Sequence, residues 1–184
     1  EGCLVTYYIG HGSWNTLGDE SYFTNERIPQ LTNYDHLTVF FSGSCNVGRF
    51  SYVSNNCMAE LLLFGENGGA IVSIAASYDS SPDSNAKLFA EVLNRIYNHN
   101  DDIGKALVYA KNYSSASASN SRKYNLLGDP VLMLPIPLIS GTIDGLPDSL
   151  QYRQTVSFQG DYDNLHLNGE GETVVYDSDQ LIHY

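Results

Sequence analysis

Residues 37–45 read LTVFFSGSC, an apolar run of β-prone residues that ends in glycine, serine and cysteine. A similar run at residues 4–11 reads LVTYYIGH and ends in glycine and histidine, and a third, AIVSIA, covers residues 70–75. Continuous apolar runs of this length are typical of strands that are buried on both faces of a parallel sheet. The three runs therefore predict a mostly parallel sheet in the first part of the chain.

The segments between and after these runs have the pattern of helices. Residues 57–64 (CMAELLLF) are helix-prone and stop at the glycines that follow. Two later segments repeat apolar residues at helical spacing: Ala86, Phe89, Ala90, Leu93, Ile96 and Tyr97 in the first, and Ile103, Ala106, Leu107 and Ala110 in the second. A serine-rich stretch at 114–121 predicts a surface turn or linker. The alternation of strands and helices predicts an α/β fold with helices on both faces of the sheet.

The composition changes after Pro135 and Pro137. Glycine and aspartate recur every few residues, between short β-prone pieces such as residues 155–158 and 173–176. This pattern is typical of the start of a β-sandwich. We therefore predict an α/β unit at residues 1–137 and the start of an all-β domain at residues 138–184.

The charge of the chain excludes some classes of partner. Nine basic and twenty-one acidic residues give a formal net charge of −12, which repels phosphate backbones and argues against nucleic acid. No apolar run approaches the roughly 20 residues that a membrane span needs. Because the first residue is Glu1 rather than Met, we interpret the sequence as a piece of a longer protein. Acidic surfaces of this kind often hold structural calcium, although a plain solvated surface explains the same composition.

The chain has three cysteines, Cys3, Cys45 and Cys57. An odd count leaves at least one thiol free unless it pairs with another chain. Their spacing contains no CxxC pair, which argues against a zinc site built from thiolates, and we predict no catalytic metal. Cys57 lies in the apolar helical segment and is predicted to be a core thiol.

Two chemically useful side chains follow the predicted strands. His11 comes directly after the first strand and Cys45 after the second, so both should emerge from the carboxyl edge if these strands are parallel neighbours. An imidazole can remove the proton from a thiol and later protonate a leaving amine. The amides of Gly12 and Cys45 can donate to an oxyanion, each worth about 3 kcal/mol of barrier. The alternatives are a structural histidine in a glycine turn and a core cysteine.

Four segments in a fixed order resemble the gingipain family of cysteine peptidases, also called peptidase family C25. The segments are YYIGHGS at 7–13, LTNYDHLTVFFSGSCNVGRF at 31–50, CMAELLLFGENGGAIVSIAAS at 57–77 and YNLLGDPVLML at 124–134. Together they span roughly Cys3 to Leu134. The family also includes the sortases of the type IX secretion system. The order of the segments is far more specific than any one of them.

The resemblance implies a caspase-like α/β fold, of which residues 1–137 would be the C-terminal part, followed by an immunoglobulin-like β-domain from residue 138. It also implies that His11 is the general base and Cys45 the nucleophile of a peptidase that forms a thioester and needs no cofactor. Substrates would be proteins or peptides. The location would be secreted or on the bacterial outer-membrane surface, with secretion-machinery or cell-surface partners.

The resemblance also has limits. Residues 77–84 stand where the family has a pocket-lining loop, so Ser77 and Tyr78 are candidates for the substrate cleft, but the tryptophan of gingipains is missing there. Trp14 either lines the same cleft or covers the core. The upstream carboxylate that orients the histidine in the family is absent from this sequence. Two alternatives to an endopeptidase remain: a sortase or transpeptidase acting on C-terminal signals of secreted proteins, and a catalytically silent surface scaffold or adhesin.

Overall fold

The computed structural model describes residues 3–136, and the backbone of three further strands at 141–144, 155–162 and 165–172. It divides into two compact units, Glu1–Ile136 and Pro137–Tyr184. The described strands of the second unit form an antiparallel sheet. The predicted β-piece at 173–176 lies outside the described residues, and the immunoglobulin-like character of residues 138–184 stays a prediction.

The strands that the structure describes are β1 (Val5–Ile9), β2 (Gly12–Ser13), β3 (Thr16–Leu17), β4 (Phe23–Thr24), β5 (Thr38–Gly43), β6 (Ala70–Ala76), β7 (Tyr124–Gly128), β8 (Gly141–Asp144), β9 (Thr155–Tyr162) and β10 (Leu165–Glu172). The α-helices are α1 (Met58–Phe64), α2 (Pro82–His99), α3 (Ile103–Tyr113) and α4 (Ala118–Ser121). Two short 3₁₀ helices cover Asn25–Gln30 and Tyr34–His36.

The main sheet of the first unit has the strand order β1-β5-β6-β7. β1, β5 and β6 are parallel, and β7 is antiparallel to β6. The prediction of a mostly parallel sheet is confirmed. A small antiparallel sheet, β2-β3-β4, follows directly after β1.

Helices cover both faces of the main sheet, as predicted. Alternate residues of β5 point to opposite faces, so that Phe41 packs with α2 and α3 while Phe40 packs with α1. Each of these side chains is buried, and burial of a residue of this size contributes about 2–3 kcal/mol. Two hydrophobic cores therefore hold the sheet in place, and both surround the strands that carry His11 and Cys45.

Two expectations about burial are wrong. β1 is less buried than its apolar sequence predicts, with Tyr7 43% and Ile9 37% exposed, because β5 is its only neighbour among the strands that the structure describes. Ala86 and Ala90 are exposed on α2, where the buried stripe runs instead through Ser84, Asn85, Leu88, Phe89, Val92 and Ile96. The methyl group of alanine fits either side of a helix, so it is a weak indicator of the buried face.

Of the helices that the structure describes, none combines the length and the apolar character that a membrane span requires.

Candidate active site

The pairing of β1 with β5 decides where His11 and Cys45 lie. The last pair of the ladder joins Ile9 to Gly43, and the Gly10 amide donates to the Gly43 carbonyl at 3.4 Å. His11 and Cys45 each lie two residues beyond that pair. Both therefore leave the sheet at its carboxyl edge, from adjacent parallel strands. His11 is exposed and Cys45 is partly buried.

The loops that carry these two residues are in direct contact. We call residues 10–18 the histidine loop and residues 43–48 the cysteine loop. A Cβ atom at Gly12 would lie 2.7 Å from the Ser44 Oγ and 3.3 Å from the Val47 Cγ2. Any side chain at position 12 would push the two loops apart. Close packing between the two loops therefore favours glycine at position 12, and the sequence did not indicate this reason.

Hydrogen bonds hold the histidine loop as a hairpin. The His11 carbonyl accepts from the Gly18 amide at 2.8 Å and from the Tyr8 hydroxyl at 2.8 Å. Gly12 pairs with Leu17 one position further along the same hairpin. Because hydrogen-bonded and non-hydrogen-bonded pairs alternate in an antiparallel ladder, the Gly12 amide points away from β3.

The cysteine loop turns sharply after Cys45. Asn46 has a φ of 61°, in the left-handed region that asparagine tolerates better than most residues. Its amide donates to the Tyr78 carbonyl at 3.4 Å, and its side-chain Nδ2 donates to the Asp79 Oδ1 at 2.8 Å. These contacts join the cysteine loop to the loop after β6. Sequence reasoning missed Asn46, although an asparagine directly after a strand-end cysteine is a signal for such a turn.

The sulfur of Cys45 contacts the loop at residues 77–81. The Ser80 amide donates to the Cys45 Sγ at 3.3 Å, and the thiol can donate to the Ser80 carbonyl at 3.6 Å. Ser80 is therefore the residue of this loop that is hydrogen-bonded to the sulfur. Within residues 3–136, the Cys45 amide donates to no backbone carbonyl.

The predicted cleft residues of this loop differ in their surroundings. The Ser77 hydroxyl donates to the Lys123 carbonyl at 3.1 Å and accepts from the Asn125 Nδ2 at 3.2 Å. The side chain of Tyr78 is 59% exposed, beside Asn46. Tyr78 is thus open to a ligand, whereas Ser77 is engaged in the junction with β7.

Trp14 lies at the tip of the histidine hairpin and is partly buried. It packs against the hydrophobic core on the α1 face, and its ring centroid is 5.6 Å from that of Tyr52. The guanidinium carbon of Arg49 lies 4.6 Å from the Tyr52 centroid. Covering the core is therefore an observed role of Trp14, and a role in the substrate cleft stays a prediction.

Comparisons with known proteins agree with this fold. The family model described as peptidase family C25 matches residues 1–135. The chain belongs to peptidase family C25. A search of curated protein sequences finds no match.

Solved structures with the same fold include gingipains. The chain is similar to the Arg-specific cysteine proteinase gingipain R (RgpB), with 22% identity and a TM-score of 0.65 over 96% of this chain and 45% of that one. A complex of the Porphyromonas gingivalis RgpB pro- and mature domains gives 22% identity and a TM-score of 0.63 over 96% and 46%. This C25 chain therefore spans less than half the length of the gingipain chains that it resembles.

The other two cysteines of this C25 chain are separate from the candidate site. Cys57 is completely buried, as predicted, and burial raises the pKa of its thiol to about 11. Cys3 is exposed, with its Sγ 3.2 Å from the Thr6 Oγ1. All three thiols are free. Cys45 is thus the cysteine whose sulfur lies at the carboxyl edge of the sheet.

Among the residues that the structure describes, no three His, Cys, Asp or Glu side chains come together as metal ligands. The prediction of structural calcium stays untested, since backbone and amide oxygens also bind this ion.

Proposed function

We propose that the chain carries the nucleophile and the general base of a gingipain-type cysteine endopeptidase, Cys45 and His11. The observation that supports this most directly is the register of β1 and β5, in which the two residues stand at the same distance beyond the Ile9–Gly43 pair. Membership of peptidase family C25 supports a peptidase. The fold shared with gingipain R agrees with it.

In the proposed reaction, His11 takes the proton of the Cys45 thiol, and the sulfur attacks the carbonyl carbon of a peptide bond. The amides of Gly12 and Cys45 donate to the oxyanion that forms. The C–N bond then breaks, the amine leaves with the proton from the imidazolium, and a thioester remains. Water loses a proton to His11 and attacks the thioester, which releases the carboxylate product and the free thiol.

The proposed substrates are proteins or peptides, and the proposed location is the cell exterior or the outer-membrane surface. A sortase would form the same thioester and differ in the last step, where an amine replaces water. The catalytically silent scaffold is the weaker alternative, because the chain has both His11 and Cys45 at one edge of the sheet.

The test measures cleavage of a fluorescent casein substrate by the full-length protein and by its Cys45→Ala and His11→Ala variants. We expect each substitution to lower the rate of cleavage by about 10⁴-fold or more, because loss of one member of a catalytic unit costs about as much as loss of the whole unit. Cys3→Ala is the matched control, since it removes an exposed free thiol away from the carboxyl edge. Unchanged cleavage by Cys45→Ala would remove the assignment. An added amine that becomes joined to the carboxyl product would identify a sortase instead.

A further inference from the structure

A chain of buried side-chain amides lies beneath the loop that contacts Cys45. Asn85 is 1% exposed and Asn120 is 3% exposed. The Asn120 Nδ2 donates to the Asn85 Oδ1 at 2.9 Å, and the Asn85 Nδ2 donates to the Ser80 Oγ at 3.0 Å. On the other side, the Asn120 Oδ1 accepts from the Ser81 amide at 2.8 Å. The Asn85–Asn120 pair therefore holds Ser80 and Ser81 from below.

Burying the Asn85–Asn120 pair in a hydrophobic environment is energetically unfavourable unless its polar groups are hydrogen-bonded. Asn85 lies on the buried stripe of α2, among residues that form the core with the sheet. Burial of a side-chain amide is unfavourable unless its donors and acceptors are satisfied. The two side-chain amides hydrogen-bond to each other and to the Ser80–Ser81 segment. A pair with this arrangement fixes a segment that has no regular secondary structure of its own.

The segment that it fixes is the one in contact with the sulfur. The Ser80 amide donates to the Cys45 Sγ at 3.3 Å. The Tyr124 hydroxyl reaches the same Ser80 Oγ at 3.4 Å and adds a second constraint. A donor held in place before reaction needs no reorganisation when charge appears on its acceptor. A sulfur anion accepts a stronger hydrogen bond than a neutral thiol does.

We propose that Asn85 and Asn120 are positioning residues, which hold the Ser80 amide against the Cys45 sulfur so that it stabilises the thiolate that attacks the substrate. The inference rests on the proposed function of Cys45 as nucleophile. Asn120 acts through Ser81 and Asn85, and neither asparagine contacts the sulfur. The serine-rich stretch at 114–121 thus contributes a buried residue to the site, where its sequence predicted a surface turn or linker.

The test compares the full-length protein with its Asn120→Ala variant. The first measurement is the rate at which iodoacetamide alkylates Cys45 at neutral pH, followed by mass spectrometry. The sulfur anion is the species that attacks iodoacetamide, and loss of a charge-assisted hydrogen bond makes that anion less stable but a better nucleophile. The two effects oppose each other, so that only part of the loss appears in the rate. We therefore expect alkylation to slow about threefold.

The second measurement separates positioning from a merely structural role. We expect kcat for peptide cleavage to fall at least about threefold while KM stays within about twofold, because the lost interaction acts on the reacting sulfur. Asn98→Ala, which removes an exposed amide from the same helix α2, is the matched control and should leave both rates unchanged. Buried Cys57 reports on folding, since iodoacetamide labels its thiol only if the variant unfolds.

An alkylation rate and a kcat equal to those of the unmodified protein, in an Asn120→Ala variant whose Cys57 stays unlabelled, would overturn the proposal. If the Asn120→Ala variant unfolds, Ser80→Ala is the variant to measure. It removes only the hydroxyl to which Asn85 and Tyr124 donate. Slower alkylation of Cys45 in Ser80→Ala supports the proposal, and an unchanged rate overturns it. Cleavage retained by Cys45→Ala would instead overturn the proposed function. The two failures are distinguishable, because alkylation reports on the Cys45 sulfur without any substrate.

Discussion

At the scale of single residues, Gly12 shows how a site depends on the absence of a side chain. From the sequence, its amide is predicted to donate a hydrogen bond to an oxyanion. In the structure, a Cβ at this position would lie 2.7 Å from the Ser44 Oγ and 2.9 Å from the Ser44 Cβ. A side chain at residue 12 would therefore force Ser44 or one of the two loops to shift.

We expect Gly12→Ala to lower peptide cleavage by about 10²-fold, because a displacement of about 1 Å in catalytic groups has an effect of that size. The accompanying loss in the free energy of unfolding should be about 1–3 kcal/mol, as is usual for overpacking. Steady-state kinetics and urea unfolding measure the two effects.

Gly104→Ala is the matched control for this change. A Cβ at Gly104 would meet the Pro130 carbonyl oxygen at 2.7 Å, so it has a similar clash outside both loops. We expect a comparable loss of stability with normal cleavage. Equal losses of activity in the two variants would contradict a specific role for the contact between Gly12 and Ser44.

At the scale of elements, the start of α1 connects the histidine loop and the cysteine loop. The Met58 amide donates to the Trp14 carbonyl of the histidine loop at 2.7 Å, and the Ala59 amide donates to the Val47 carbonyl of the cysteine loop at 3.2 Å. The first amides of a helix have no partner within the helix. Here the loops supply the partners. Cys57 precedes these residues, and its amide donates to the Glu60 carboxylate at 2.8 Å.

The buried thiol at this helix start makes stability depend on pH. Burial raises the pKa of Cys57 from 9.0 to about 11. Below pH 9 the thiol is protonated in both states; between about pH 9 and 11 the unfolded chain loses the proton while the folded chain keeps it. Rising pH in this window therefore favours the unfolded state. We expect the free energy of unfolding to fall more steeply there in the unmodified protein than in Cys57→Ala.

Urea unfolding at a series of pH values checks this prediction. Tyrosines that titrate in the same range are present in both proteins and do not affect the comparison. Parallel pH profiles would contradict the burial of a protonated thiol at this position.

At the scale of the whole first unit, the sheet is held between two cores of different composition. The α2–α3 face contains a cluster of aromatic rings, in which Phe41 and Phe89 are stacked with centroids 5.4 Å apart. On the α1 face, Phe40 is the one aromatic residue among the buried members of the core, and Tyr8, Trp14 and Phe23 pack against it partly buried. Because β5 belongs to both cores, loss of packing on either face should loosen the strand that leads into the cysteine loop.

We expect Phe41→Ala to lower the free energy of unfolding by about 3–5 kcal/mol, through lost burial and the cavity left behind. Phe64→Ala is the matched control: this side chain is 68% exposed, and its loss should cost about 0.5 kcal/mol or less. Urea unfolding of the full chain can be followed by the fluorescence of its single tryptophan, Trp14. Similar losses in the two variants would contradict the placement of Phe41 in the core.

The local pattern of the sequence determined the type and order of most elements. Apolar runs predicted β1, β5 and β6, a helix-prone run that stops at glycines predicted α1, and helical spacing predicted α2 and α3. It also predicted that His11 and Cys45 each follow a strand. These features depend on residues close together in the chain, and their periodicity is visible without any knowledge of long-range contacts.

Tertiary structure alone decided what surrounds Cys45. The Gly12–Ser44 contact, the Ser80 amide at the sulfur and the Asn85–Asn120 pair join residues that are far apart in sequence. Asparagines and serines are the usual residues of exposed turns, so nothing in their local pattern indicates burial. They become buried because packing of α2 and α4 brings their complementary amides together, and that pairing is a property of the folded chain.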